Sequence, residues 1–188
     1  MEAEAEPNAV SVHLAVDTPE LMERFGRRLA EILLPGDLVL LSGELGAGKT
    51  TLARGLGQGL GVRGAVTSPT FVIARVHPSL TDGPALVHVD AYRLGWGSSR
   101  GEAAGGGLDE MEDLDLDVSL PESVVVVEWG EGKVEELSEA RLHVVIRRPV
   151  GEDGDLRDVT VTGFGARWAG EDLSALRVRC AGGDRSGD

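Results

Sequence analysis

The run Gly43-Glu44-Leu45-Gly46-Ala47-Gly48-Lys49-Thr50 fits the spacing G-x-x-x-x-G-K-[ST] at every fixed position. Its chemistry follows from the residue types. Glycines let the backbone fold so tightly that successive N–H groups converge on a polyphosphate, where a Cβ at Gly46 or Gly48 would obstruct. A helix starting at the end of the loop adds partial positive charge. Lys49 is placed to reach the outer phosphates, and the Thr50 hydroxyl to hold Mg²⁺. The motif carries this meaning only between a strand and a helix. The apolar run Leu38–Leu41 before it, and Leu52, Leu56 and Leu60 on one helical face after it, supply that context.

A nucleotide hydrolase also needs a carboxylate near the metal, at the end of a neighbouring apolar strand. Two positions qualify: Asp90 after Leu86–Val89, and Glu128 after Val124–Val127. Each can hold the metal, directly or through water, or orient an attacking water, and each alone is equally a strand end facing solvent. Thr67-Ser68-Pro69-Thr70 sits where nucleotide switches place a hydroxyl that senses Mg²⁺ or the γ-phosphate; a Pro-containing turn with polar caps reads the same way. Trp129 can be core, pocket lining or partner surface. Arg93 and Arg157 are candidate charge partners for phosphate or carboxylate.

Other chemistries fail on spacing. Asp113, Asp115 and Asp117 suggest a calcium loop, but Val118 and Val124 occupy its glycine and twelfth positions. His13, His77, His88 and His143 lack metal-ligand spacing. No N-K-x-D guanine-reading motif and no L-S-G-G-Q-type transporter signature occur.

Around these residues the chain alternates between two periods. Val10, Val12, Leu14 and Val16 predict a half-buried strand. Thr18-Pro19 caps an amphipathic helix over 19–34, carried by Leu21, Met22, Phe25, Leu29, Ile32 and Leu33 and ended by Pro35-Gly36. The helix after the loop is diluted by Gly55, Gly57 and Gly59, each costing ~1 kcal/mol against alanine, so tertiary packing must hold it. Strands are predicted at 71–76, 86–90 and 124–127, a helix around 132–140, and a hairpin built on Leu142–Ile146 and 158–162. Trp168, Leu173 and Leu176 mark a last amphipathic piece. The pattern predicts one α/β domain over 10–180, a three-layer P-loop NTPase-like fold with a mixed, partly parallel central sheet. Polar tails at 1–9 and 181–188 and a Gly-rich, acidic insertion at 95–117 are expected to be flexible.

Composition narrows the partners. Among 188 residues the net charge is −14 and the lysines are Lys49 and Lys133 alone. Such a chain does not by itself attract a nucleic-acid backbone, whose binding rests on basic residues displacing counterions. No apolar run is long enough to span a membrane, and the acidic start lacks the features of a secretory signal. The single cysteine, Cys180, has no internal disulfide partner, so a cytoplasmic setting is expected.

Gly36-Asp37, the loop Gly43–Thr51, Gly64–Thr70 with its S-P-T, His88-Val89-Asp90-Ala91-Tyr92-Arg93-Leu94 and Glu128-Trp129, in this order, resemble the TsaE family. These are small P-loop ATPases of bacterial tRNA threonylcarbamoyladenosine biosynthesis. The resemblance covers roughly residues 18–130. It implies binding and slow hydrolysis of ATP with Mg²⁺, and action on a two-protein threonylcarbamoyl-transferring complex rather than on tRNA directly. By position it implies that Leu45, Gly46, Ala47, Gly48, Lys49, Thr50 and Thr51 hold the phosphates, that Thr50 and Glu128 ligate Mg²⁺, and that Thr70 and Asp90 belong to the catalytic surroundings with Lys49. Thr18 falls near the adenine, Trp129 near the nucleotide or partner, and Arg157 remains a candidate phosphate contact. Departures are the insertion between Leu94 and Val124, Gly130 where the family often has proline, and a weakly matching C-terminal part. Two further functions are compatible with the motifs: a small-molecule or nucleoside kinase, with Asp90–Arg93 presenting an acceptor, and a non-catalytic ATP-dependent adaptor.

Overall fold

The structure, a computed structural model, describes residues 9–67, 74–91, 120–129, 131–132, 138–149 and 154–177. Their elements are β1 (Val10–Val16), α1 (Pro19–Ala30), β2 (Leu38–Ser42), α2 (Lys49–Leu60), β3 (Ala74–His77), β4 (Ala85–Asp90), β5 (Ser123–Glu128), β6 (Arg141–Arg147) and β7 (Arg157–Phe164). Short 3₁₀ turns lie at Leu120–Glu122 and Leu173–Leu176. The strands form one sheet in the order β1-β7-β6-β2-β5-β4-β3. Its centre, β6-β2-β5-β4, is parallel. β3 runs antiparallel to β4 on one edge; on the other, β7 runs antiparallel to β6 and β1 antiparallel to β7.

Side-chain pattern explains this order. The central strands β2 and β5 are apolar on both sides, as strands covered on two faces must be. β1 and β7 alternate: Val12, Val16, Val159 and Val161 are buried, while His13 Nδ1 meets Thr160 Oγ1 at 3.0 Å on the polar side. The expected mixed α/β sheet is therefore what forms.

Both described helices cover one face of the sheet. Phe25 and Leu29 of α1, Leu52 and Leu56 of α2, and Val39, Leu41, Val126 and Val144 of the strands share one buried cluster. The opposite face has a smaller cluster of Leu40, Val87, Val89, Ala91, Val125 and Val127; among the described residues no α-helix covers it. Glycines that weaken α2 intrinsically let it approach α1 backbone to backbone. A Cβ on Gly55 would fall on the backbone of Glu23, and one on Gly59 would sit 2.6 Å from Ala30 Cβ. Gly26 answers from α1, where a Cβ would lie 2.7 Å from Leu56 N.

Helix α1 ends at Ala30, not near residue 34 as periodicity predicts. Glu31, Ile32 and Leu33 close tighter turns onto Arg28 O, Leu29 O and Ala30 O, and Leu34 N then donates to Asp37 Oδ2 at 2.8 Å in the turn before β2. Arg167 locks this turn from the far end of the chain. Its Nε and Nη2 reach Asp37 Oδ1 and Oδ2 at 3.0 Å each, Nη2 also donates to Ile32 O at 2.9 Å, and Nη1 reaches Glu171 Oε1 at 2.8 Å. The guanidinium lies 4.2 Å from the Trp168 ring centroid. Trp168, Leu173 and Leu176, the last amphipathic piece, are buried and lie in turns and a 3₁₀ segment. Most of the helix expected around 132–140 lies outside the described residues, as do the 95–117 insertion, residues 1–8 and 181–188, Thr70 and Arg93.

Candidate functional site

Strands β2, β4 and β5 end side by side. Register pairs Leu41 with Glu128 and Asp90 with Glu128, so both carboxylates stand next to the point where β2 runs into the glycine-rich loop. In that loop Gly46 has φ +74° and Gly48 φ +115°. The requirement for glycine here is conformational more than steric, since a Cβ on Gly48 would meet the Met22 side chain at 3.5 Å and one on Gly46 the far end of Arg148 at 3.3 Å. Gly48 is the N-cap of α2 and provides no side-chain cap, so the first N–H groups of the helix stay available at the loop. Thr50 and Thr51 are half-buried in its first turn, and Leu45 projects from the loop, 88% exposed.

Lys49 is buried at the centre of this arrangement. Its Nζ donates to Gly43 O at 2.6 Å and Glu44 O at 3.0 Å, and lies 4.0 Å from the Trp129 ring centroid, a cation–π contact. Burial pushes the Lys49 pKa below the usual lysine range, against the opposing charges of Glu128, Glu131, Asp90 and Glu44. Trp129 takes φ +62°, the one positive value among the described non-glycine residues. Left-handed backbone at a large side chain is strained, and here it carries the indole over the lysine. Glu128, nearly fully buried, accepts from His88 Nε2 at 2.8 Å; His88 is fully buried, and its Nδ1 has no partner.

On the other side of the loop a cavity of about 100 Å³ is lined by Thr18, Pro19, Met22, Gly46, Ala47, Gly48, Thr51, Asp155 and Arg157. Thr18 caps α1 through its hydroxyl, accepting from Leu21 N at 3.2 Å. Arg157 Nε donates to Ala47 O at 3.1 Å, and its Nη1 to Gly154 O and Leu156 O at 3.0 and 2.8 Å. Arg157 thus braces the loop against the start of β7. Arg148 Nη2 adds a bond to Gly46 O at 3.0 Å.

Most sequence-predicted residues are therefore neighbours. Lys49, Asp90, Glu128 and Trp129 gather at the strand ends, while Thr18, Gly46–Gly48, Thr51 and Arg157 line the cavity. Thr70 lies outside the described residues. Sequence reasoning missed Asp155, Arg148 and the partnership of His88 with Glu128. No spacing signal could have found that pair, because the residues are 40 positions apart and only the β4–β5 register joins them.

Among the described residues, no group of three His, Cys, Asp or Glu is placed to hold a metal unaided. Mg²⁺ at a nucleotide does not need one: it takes one or two protein oxygens, phosphate oxygens and waters. A hydroxyl at Thr50 and a carboxylate at Glu128 with Oε2 outside the His88 bond fit that demand.

A parallel sheet centre, a glycine-rich loop entering a helix N-terminus and carboxylates at adjacent strand ends define a P-loop α/β protein. Within that class, the family model for threonylcarbamoyl adenosine biosynthesis protein TsaE matches residues 16–154, and the chain belongs to the TsaE family. It is 71% identical over 156 residues to the tRNA threonylcarbamoyladenosine biosynthesis protein TsaE of Streptomyces coelicolor, covering 82% of this chain and 99% of that one. The TsaE protein of Bacillus subtilis is 38% identical over 152 residues, covering 80% and 84%. The crystal structure of Bacillus subtilis YdiB superposes with a TM-score of 0.60 at 30% identity, covering 85% of this chain and 90% of that one.

Proposed function

We propose that the chain binds ATP with Mg²⁺ at Gly43–Thr51, hydrolyses it slowly, and serves tRNA threonylcarbamoyladenosine biosynthesis by acting on a two-protein threonylcarbamoyl-transferring complex. The observation that carries this reading is the grouping of Lys49, Asp90, Glu128 and Trp129 at the mouth of the loop. The relatives' names supply the pathway.

In this reading the N–H groups from Leu45 to Thr51 receive the phosphates, and Lys49 keeps its two carbonyl bonds while offering its remaining N–H to the outer phosphates. Thr50 and Glu128 would hold Mg²⁺, which would supply positive charge against the phosphates. Asp90 orients the attacking water, and Thr70 keeps the catalytic role that its place in the family motif implies. Thr18 and the cavity beside it receive the adenine, and Arg157 keeps that wall in place. Among the described residues Arg148 and Arg157 are engaged on loop carbonyls, and a P-loop site is slow until an arginine is supplied to the transferring phosphate, here by a partner. The net charge of −14 directs the output to a protein complex instead of bare RNA. A cytoplasmic setting belongs to this reading; among the described residues no helix is long and apolar enough to cross a membrane.

The test is depletion of the protein followed by mass spectrometry of tRNA nucleosides. Threonylcarbamoyladenosine should fall, and an undiminished level would overturn the pathway assignment. The purified protein should hydrolyse ATP at below about one turnover per second; a requirement for a small phosphoryl acceptor would favour a kinase instead.

A further inference from the structure

We propose that His88 is the positioning residue of the metal site: it anchors Glu128 through Oε1, leaves Oε2 for the cation, and so sets the affinity for Mg²⁺ without touching the ion. This rests on the nucleotide-site reading above.

His88 lies in β4 among Leu86, Val87 and Val89, and packing gives no reason for a polar ring there. It is fully buried, on the sheet face that α2 covers. Among the described residues its one hydrogen bond is from Nε2 to Glu128 Oε1, at 2.8 Å. Nδ1 is buried with no partner at all, so the ring carries a desolvation cost on one side that packing does not return. With Glu128 as the carboxylate, Nε2 is the protonated nitrogen and the donor.

Geometry explains why an imidazole serves. In the parallel β4–β5 register His88 stands opposite Val126, one pleat below Glu128. The donor must therefore reach diagonally, toward the strand end. Nε2 lies far enough along the ring to do so; a shorter amide falls short. Carboxylates that ligate metals are commonly held by such an outer hydrogen bond, and losing it typically weakens metal binding by about 10–100-fold. A bond to Oε1 also restricts rotation of the carboxyl group, so Oε2 keeps one direction whether or not a cation is present.

The test compares His88→Gln, His88→Asn and His88→Leu in the full chain. Glutamine places its amide nitrogen about where Nε2 lies, whereas asparagine is polar but too short. ATP affinity is measured by titration calorimetry in EDTA and across a Mg²⁺ series, with thermal unfolding alongside. His88→Leu and His88→Asn should need about 10–100-fold more Mg²⁺ to reach half of the Mg²⁺-dependent gain in affinity. Their affinity in EDTA should match the unaltered protein, and His88→Gln should stay within about threefold of it throughout. Should His88→Leu fail to fold, the Gln–Asn pair carries the comparison. An unshifted Mg²⁺ midpoint in His88→Asn, or an equal shift in Gln and Asn, overturns the proposal alone. No Mg²⁺-dependent ATP binding by the unaltered protein overturns the nucleotide-site reading and the proposal together.

Discussion

Lys49 shows how much a single side chain in this site gives up. Its ammonium is buried, and desolvation outweighs four neighbouring carboxylates, so its pKa falls below the ordinary lysine value. Two loop carbonyls and the Trp129 ring compensate in part. A group that is costly to the fold and central to the loop predicts a separation of stability from binding. Lys49→Ala should lower ATP affinity by at least ~100-fold, the loss of one charge-assisted bond of about 3 kcal/mol. Its thermal unfolding midpoint should not drop, because the variant no longer buries a charge. Calorimetric titration and a thermal melt check the two halves, and unchanged affinity would remove Lys49 from the site. Trp129 makes the complementary concession in its backbone, at φ +62°.

Two elements, α1 and α2, meet through glycines that propensity alone counts against. Gly55→Ala should gain about 1 kcal/mol of helix propensity. It should lose more from overpacking, typically 1–3 kcal/mol or above, because the added Cβ meets the backbone of Glu23 and not a side chain that can turn away. The expected outcome is a net destabilisation of about 2 kcal/mol in urea denaturation. β3 yields a pH prediction. His77 is buried, with its Nδ1 on Arg63 O at 3.3 Å and Nε2 unpaired. Burial lowers its pKa, the Arg63 bond opposes this, and His88 and Arg75 add to the lowering. The unfolded chain takes up a proton near the ordinary value of 6.5, whereas the folded one resists it. Stability therefore falls as pH drops through and below that value. His77→Asn, which keeps a donor for Arg63, should show a shallower decline between about pH 6.5 and 5 in chemical denaturation.

The first and last described parts of the molecule are tied at Asp37. Arg167, 130 residues away, forks onto this carboxylate, and Asp37 in turn holds the α1–β2 turn through Leu34 N. Arg167→Ala should destabilise the protein by about 1–3 kcal/mol, since Asp37 is buried and loses a charged partner. Thermal and urea melts measure this; ATP affinity should change little, because the clasp lies at the opposite end of β2 from the loop.

The loop Gly43–Thr50, the strands ending at Asp90 and Glu128 and the cap at Thr18 were all legible in the chain, because each is written within a few consecutive residues as a period, a cap or a glycine. The partly parallel sheet followed from where those periods change. Helix α1 ends earlier than its apolar period, because the chain tightens over residues 31–33 into a turn that Asp37 holds and Arg167 secures from another part of the chain. The glycines of α2 read as weaknesses until α1 was seen against them. His88 read as a histidine with no ligand spacing, and only β4–β5 register places its Nε2 on Glu128. What local periodicity and backbone preference encode can be read from order along the chain. Which side chains meet across strands, and which buried polar atoms remain without partners, depends on packing between segments far apart in that order, and only the folded structure decides it.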